Sequence, residues 1–272
     1  MKKLLVTGYK GFIGLNLYNT LIELGYTVIG IDDEYIVDDW KLNLSNILSS
    51  QKFDGIFHVG ACSDTLEQDV NYMMVRNYET TKLISDFCLE NKIPLIYSSS
   101  AANYGTNNLY PANLYGWSKY VAEQYVIKNN GIALRYFNVY GPNEHNKGKM
   151  SSLAYQSYIK HKNHEDIKLF PNKPKRDFVY IKDIVSANIF AFDNFNKNQG
   201  HYYEVGSGTA NTFESVLDFM GIPYTYTDEN LIPNGYQFFT QSDNTLWMKG
   251  WTPQFQLEQG IKNYKKYLYE RN

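Results

Sequence analysis

Through most of the chain, short apolar runs that stop at glycine or a polar residue alternate with longer stretches whose apolar positions recur at helical spacing. Lys3–Thr7, Thr27–Ile31 and the segments 55–59, 94–97 and 131–135 are short and continuously apolar, and they read as buried parallel strands. Segments 12–24, 72–91 and 115–130 read as the helices between them. This alternation predicts an α/β fold of Rossmann type, a doubly wound parallel sheet whose ligands sit beyond the carboxyl ends of its strands. After Pro142 the regularity fades into a polar, basic stretch, followed by a helix from about 183 to 195. The expected division is a Rossmann domain over 1–141, rejoined by about 177–206, and a smaller C-terminal substrate-binding lobe over 142–272.

Apolar residues on the two helices 72–91 and 115–130 cover more than one face, among them Leu83, Ile84, Phe87, Val121, Tyr125 and Val126. Burial against a second copy of the chain would explain that breadth, so a homo-oligomer is expected.

The chain has 272 residues, 43% hydrophobic and 20% charged, enough for a full core. A formal net charge of −2 supplies no global field for nucleic acid, and no apolar run reaches membrane-spanning length. Cys62 and Cys88 have no metal-ligand spacing and read as free thiols of a reducing, cytoplasmic compartment. Charge is uneven, however. Between 147 and 176 stand Lys147, Lys149, Lys160, Lys162, Lys168, Lys173, Lys175 and Arg176 against only Glu165 and Asp166, a segment suited to an anionic substrate group or to a solvated basic face.

Gly8-Tyr9-Lys10-Gly11-Phe12-Ile13-Gly14 has the form G-x-x-G-x-x-G between the first strand and the first helix. Glycines there permit a tight turn, close approach of a pyrophosphate and close helix packing, while the helix N-terminus favours negative charge. Asp32 and Asp33 follow about 20 residues on, where an acid binds the adenosine ribose. The cofactor expected is therefore NAD or NADP. Asp32 favours NAD, and Lys10 or Lys41 offers a place for the extra phosphate of NADP.

Tyr115-Gly116-Trp117-Ser118-Lys119 places a phenol and an ammonium one helical turn apart on one face. A lysine held there stabilises the phenolate, and Ser100, ending the Ser98-Ser99-Ser100 triplet, is in place to hydrogen-bond the reacting oxygen. His58 reads as a satisfied strand-end histidine and Cys62 as pocket lining. His161 and His164 lack a third ligand, so no metal is expected.

With Gly8, Gly11, Gly14, Ser100, Tyr115 and Lys119 in this order, the chain resembles the extended short-chain dehydrogenase/reductase family of nucleotide-sugar epimerases and dehydratases, over nearly its whole length. The stretches 57–63, 72–74, 135–142, 145–148 and 175–180 are most similar to the branch acting on nucleotide-activated heptoses. The resemblance implies an isomerase that oxidises and re-reduces a sugar carbon with bound NAD(P), with Tyr115, Lys119 and Ser100 as catalytic groups and Lys147 serving the other stereochemical face. By position, Phe12, Ile13, Asp32, Asp33, Gly60, Ala61, Cys62 and Ser63 line the cofactor, with Asn77 toward the nicotinamide. Asn138, Lys149, Phe170, Arg176 and Tyr236, together with Ser100, hold the substrate. Departures from that branch are the short runs 33–40 and 105–115, Lys149 in place of serine and Gln156 in place of histidine. The alternatives are another family enzyme on a nucleotide sugar (a 4-epimerase, a 4,6-dehydratase or a dehydrogenase/reductase) and a non-catalytic dinucleotide sensor. Ala101-Ala102-Asn103 lacks the acid pair of a dehydratase, and the presence of both Tyr115 and Lys119 opposes a mere sensor.

Overall fold

The computed structural model describes residues 1–36, 38–106, 110–233 and 236–270. Packing divides the chain into two units, one of 1–135 with 185–203, the other of 136–184 with 204 onward.

The first unit is built on a six-stranded sheet with the order Thr27–Ile31, Lys3–Thr7, Gly55–His58, Leu95–Ser100, Ile132–Tyr136, His201–Val205. Successive pairs among the first four of these run parallel. Continuous burial is why the inner strands read as apolar runs: Leu4, Leu5, Val6, Ile56 and Phe57 are all fully buried, whereas Thr27–Ile31, expected to be buried, stands at the sheet edge and is no more than half-buried. Helices Phe12–Glu23, Trp40–Ser49, Thr80–Asn91 and Leu114–Lys128 cover the sheet. The core joins Leu5, Ile56, Leu95, Tyr97 and Ala133 of the strands to Ile84, Cys88, Ala122 and Val126 of the helices. Sequence order departs from spatial order where the first strand lies between the second and third, so the first and third strands open a crevice at their carboxyl ends.

Two local readings change. The serine triplet lies inside the fourth strand rather than after it. The helix expected over 72–91 is Val70–Met74 and Thr80–Asn91, joined by the wider π-turn Val75–Glu79. The apolar breadth of this helix and the next is largely absorbed within the unit. Leu83, Phe87 and Ile127 pack on the core, and Tyr125 Oη donates to Asp86. Val70, Tyr72, Leu89 and Trp117, 60%, 41%, 46% and 45% exposed, remain outside.

The second unit holds a three-stranded sheet in which Lys175–Tyr180 pairs parallel with Asn138–Tyr140 and antiparallel with Ala210–Thr212. Helices Leu153–Lys162, Phe213–Met220 and Leu257–Glu270 belong to it. Its polar hub is Asp177, fully buried, whose carboxylate accepts the amides and hydroxyls of Ser207 and Ser242 and the Gly208 amide. Five donors satisfy a buried charge that would otherwise be costly. Among the described residues no helix is long and apolar enough to cross a membrane.

Candidate active site

The glycine turn is held by sterics. Gly8 has φ +66°, and a Cβ there would stand 2.6 Å from Gly60 Cα, while a Cβ on Gly14 would collide with the Gly8 carbonyl. The turn therefore lies against Val59 and Gly60, with helix Phe12–Glu23 drawn in close behind it. Gly11 caps that helix and brings no side chain to its first amides, which leaves the N-terminus open to an anion. Phe12 is 5% exposed, and Ile13 is half-buried. Asp32 accepts from the Lys10 amide at 2.9 Å and the Asp33 amide at 3.0 Å, and Asp33 pairs with Arg76 at 2.5 Å. The two lysines considered for a further phosphate are each engaged by an acid, Lys10 by Glu34 and Lys41 by Glu79. These features fit a dinucleotide: a backbone cradle that any Cβ would fill, an uncapped helix end and a carboxylate at the second strand.

A chain of hydrogen bonds behind the turn fixes its geometry. Thr7 Oγ1 accepts from the amides of Val59 (3.1 Å) and Gly60 (3.0 Å) and lies 2.7 Å from His58 Nδ1. With both lone pairs used, its proton goes to Nδ1. His58 is therefore the Nε2–H tautomer, donating to Thr81 Oγ1 at 2.8 Å, and Thr81 donates on to Asn77 O at 2.6 Å. Burial, and then the charge of Lys119, push His58 down to about 3.

Asn77 sits in the π-turn, fully buried. Its Oδ1 accepts from the Cys62 amide, and its Nδ2 faces Cys62 O and Ser118 Oγ, tying the loop of Gly60, Ala61, Cys62 and Ser63 to the helix of Tyr115 and Lys119. Ser118 Oγ in turn donates to Tyr115 O. π-turns commonly mark functional positions because the widened turn redirects one side chain. Ala61 and Ser63 are exposed and Cys62 is half-buried, its thiol pushed up by burial.

Helix Leu114–Lys128 starts on Asn113, whose side chain accepts from the Gly116 amide at 2.8 Å, and this cap fixes where Tyr115 and Lys119 fall. Burial raises the Tyr115 phenol above its ordinary value and the hydrogen bond with Ser100 lowers it, burial being the larger. Lys119 is 2% exposed and pushed down to about 7 by burial, with Glu123 opposing. Glu123, fully buried one turn further, is bound by Arg135 at 2.8 and 2.5 Å and accepts from Ser99 and Asn103.

The remaining expected residues belong to the second unit. Asn138 is exposed on its strand. Lys147 is half-buried in the turn Glu144–Met150, its amine pushed down by burial and up by Glu144. Glu144, 1% exposed, accepts from Gly141 N, Ser152 N and Ser152 Oγ and so anchors that turn. Lys149 is exposed, its carbonyl taken by Gln156. Arg176, 8% exposed, lies between the rings of Tyr236 (5.4 Å) and Phe213 (5.6 Å), and Phe170 meets Tyr236 at 5.1 Å.

Thus the structure gathers Gly8, Gly11, Gly14, Gly60, Cys62, Asn77, Ser100, Tyr115 and Lys119 in one unit, and Phe170, Arg176 and Tyr236 in the other. Sequence reasoning passed over Thr7, Thr81, Tyr97, Glu123 and Glu144. Glu123 alone left a signal, its position one helical turn past Lys119. The short run 105–115 includes 107–109, and 33–40 includes Val37, which lie outside the described residues.

The glycine cradle fits a dinucleotide-dependent enzyme, and residues 4–206 match the model of the NAD dependent epimerase/dehydratase family, to which the chain belongs. It is 35% identical to an ADP-L-glycero-D-manno-heptose-6-epimerase of Brachyspira hyodysenteriae, over 97% of both chains. The solved structure of the Helicobacter pylori ADP-L-glycero-D-manno-heptose-6-epimerase superposes with TM-score 0.87 at 27% identity, covering 98% of this chain and 96% of that one. A UDP-glucose 4-epimerase of Thermotoga maritima shares the fold, with TM-score 0.85 at 23% identity over 99% of each chain.

Proposed function

We propose that the chain is a nucleotide-sugar epimerase whose substrate is an ADP-activated glycero-manno-heptose. The observation that carries this reading is the Tyr115–Lys119 pair bonded through Tyr115 to Ser100, in a chain 35% identical from end to end to a heptose epimerase. Bound NAD(P) supplies reversible hydride acceptance, the chemistry an unactivated carbinol carbon needs before its configuration can change. The protein's part is to move protons and hold the sugar. Tyr115 Oη takes the proton of the reacting hydroxyl and returns it, Lys119 holds positive charge beside that oxygen, and Ser100 Oγ orients it. Lys147, a partly dehydrated amine, is suited to the same exchange on the opposite face. Asn138, Lys149 and Arg176 suit the sugar and diphosphate, and the rings of Phe170 and Tyr236 suit a nucleobase.

Two free thiols suit a cytoplasmic site of action. Val70, Tyr72, Leu89 and Trp117 are the exposed apolar residues of helices Val70–Met74, Thr80–Asn91 and Leu114–Lys128 that would meet a second copy in a homo-oligomer, and sedimentation at micromolar concentration tests that assembly. The reading as a whole is tested by NMR on single epimers of ADP-heptose with UDP-glucose alongside. Interconversion of the heptose supports it, reaction of UDP-glucose alone moves the enzyme to another class, and inertness toward both sugars removes the assignment.

A further inference from the structure

Lys119 has lost its water but has no carboxylate to itself. It is 2% exposed, and Glu123, the acid nearest in its helix, is engaged twice by Arg135 and also by Ser99 and Asn103. The ionisable groups facing Lys119 from its own helix are Tyr115 and Glu123. From the strands they are His58 and Tyr97, while Cys62 faces Tyr115. None of the neutral groups supplies a full negative charge. What the ammonium does touch is a π face: Nζ stands 4.2 Å from the centroid of the Tyr97 ring.

The surroundings of that ring favour this contact. Tyr97 is 1% exposed, and burial pushes its phenol well above the ordinary value, so it stays neutral. His58 lies 5.7 Å from it, ring to ring, and would repel Lys119 if charged. The Thr7 and Thr81 hydrogen bonds hold His58 neutral. The ring quadrupole presents its negative face to a cation, and the attraction grows when water is excluded. A strand residue thus seats the lysine from below while the helix presents it to the crevice.

We propose that Tyr97 is a positioning residue for the reaction: its ring face keeps Lys119 charged and in register with Tyr115, and so sets the alkaline end of the range in which that pair works. The inference rests on the reading of Tyr115 and Lys119 as the acid-base pair. It explains how a lysine so dehydrated keeps cationic character although the one carboxylate near it, Glu123, is taken up by Arg135, Ser99 and Asn103.

The test grades the quadrupole while holding shape. Tyr97→Phe is compared with phenylalanines carrying one, two or three ring fluorines at the same position, reading the pH dependence of kcat/KM and of NAD affinity, with thermal unfolding as a check on the fold. Tyr97→Phe should keep the alkaline limb in place, and the trifluorinated ring should move it down by about one pH unit, with the others between in order. An alkaline limb that stays fixed across the folded series overturns the proposal. Should the phenylalanine series fail to fold, 3-fluoro- and 3,5-difluorotyrosine retain the hydroxyl and give the same ordered shift or overturn the proposal in the same way. Tyr115→Phe separates the two ideas: full turnover in that variant removes the acid-base reading itself, whereas loss of turnover there with a flat fluorine series removes only the role of Tyr97.

Discussion

Thr7 donates to His58 at 2.7 Å because its hydroxyl oxygen already accepts two amides of the loop that faces the glycine turn. A protonated His58 would present N–H to an oxygen with no lone pair left, so charge on this histidine breaks the support of the cofactor cradle. Its folded value of about 3 lies below its unfolded 6.5, so the unfolded chain binds more protons between them. The contribution is complete above pH 6.5 and declines as the pH falls toward 3, by about 1.4 kcal/mol per unit. Urea unfolding of His58→Asn should show lower stability at pH 8 and a shallower loss on acidification than the parent; parallel slopes would mean that His58 does not carry the linkage.

Lys119 titrates in the opposite sense for function. Held at about 7, it loses its charge as the pH rises through neutrality. NAD affinity of the cofactor-free protein should therefore fall between about pH 6 and 8, and Lys119→Met should remove that dependence while weakening binding throughout. Calorimetric titration across this range is the measurement. A wild-type affinity independent of pH would place the charge of Lys119 outside cofactor binding.

Asn77 is a test of the π-turn. Asn77→Leu removes the bonds to Cys62 and Ser118 from a fully buried site and takes the acceptor from the Cys62 amide, at about 1–3 kcal/mol for such a group. We expect a lower melting temperature together with a fall in kcat, because the loop at Cys62 and the helix of Tyr115 lose their common tie. Lower stability with kcat unchanged would make Asn77 purely structural.

How much of this was legible beforehand follows the range of each interaction. Gly8 and Gly14 are readable because their requirement is local: a left-handed turn and a backbone that passes too close for Cβ. Tyr115 and Lys119 are readable because helical periodicity alone puts them on one face. The partners of His58 and Glu123 are not readable. They come from residues 12 to 51 positions away, and only the sheet order brings them together. The π-turn is equally silent, since Val75–Glu79 has no composition that separates it from an ordinary helix. The breadth of the apolar faces on neighbouring helices read as a call for a partner subunit, yet Leu83 and Phe87 are taken up by the unit's own core.

Two proton-transfer groups should give two kinds of mutant. Tyr115→Phe should lower turnover in both directions by about 10²- to 10⁴-fold. Lys147→Met should stop inversion and leave hydride exchange on the Tyr115 face, visible as dismutation of an aldehyde analogue. Equal residual activity on both faces in the Lys147 variant would make Lys147 an anion ligand beside Lys149.

The last prediction concerns the rim of the cradle, where sequence left the cofactor open between NAD and NADP. Each candidate cation is paired with an acid: Lys10 with Glu34, Lys41 with Glu79 and Arg76 with Asp33. Asp32 remains as a further carboxylate, held by the Lys10 and Asp33 amides at the end of the second strand. A 2′-phosphate brought here meets four acids against three bases, and the excess is negative. NAD should therefore bind at least about tenfold more tightly than NADP, or ~1.4 kcal/mol, and because the reaction returns its hydride the protein should retain NAD on purification. Asp32→Ala should narrow the ratio, and Asp33→Ala, which frees Arg76 for a phosphate, should narrow it further. Identification of the nucleotide in denatured supernatants and titration of the stripped protein at constant salt read both effects. A ratio unchanged in Asp32→Ala would remove Asp32 from the ribose site, and NADP as the retained nucleotide would reverse the preference drawn from these pairs.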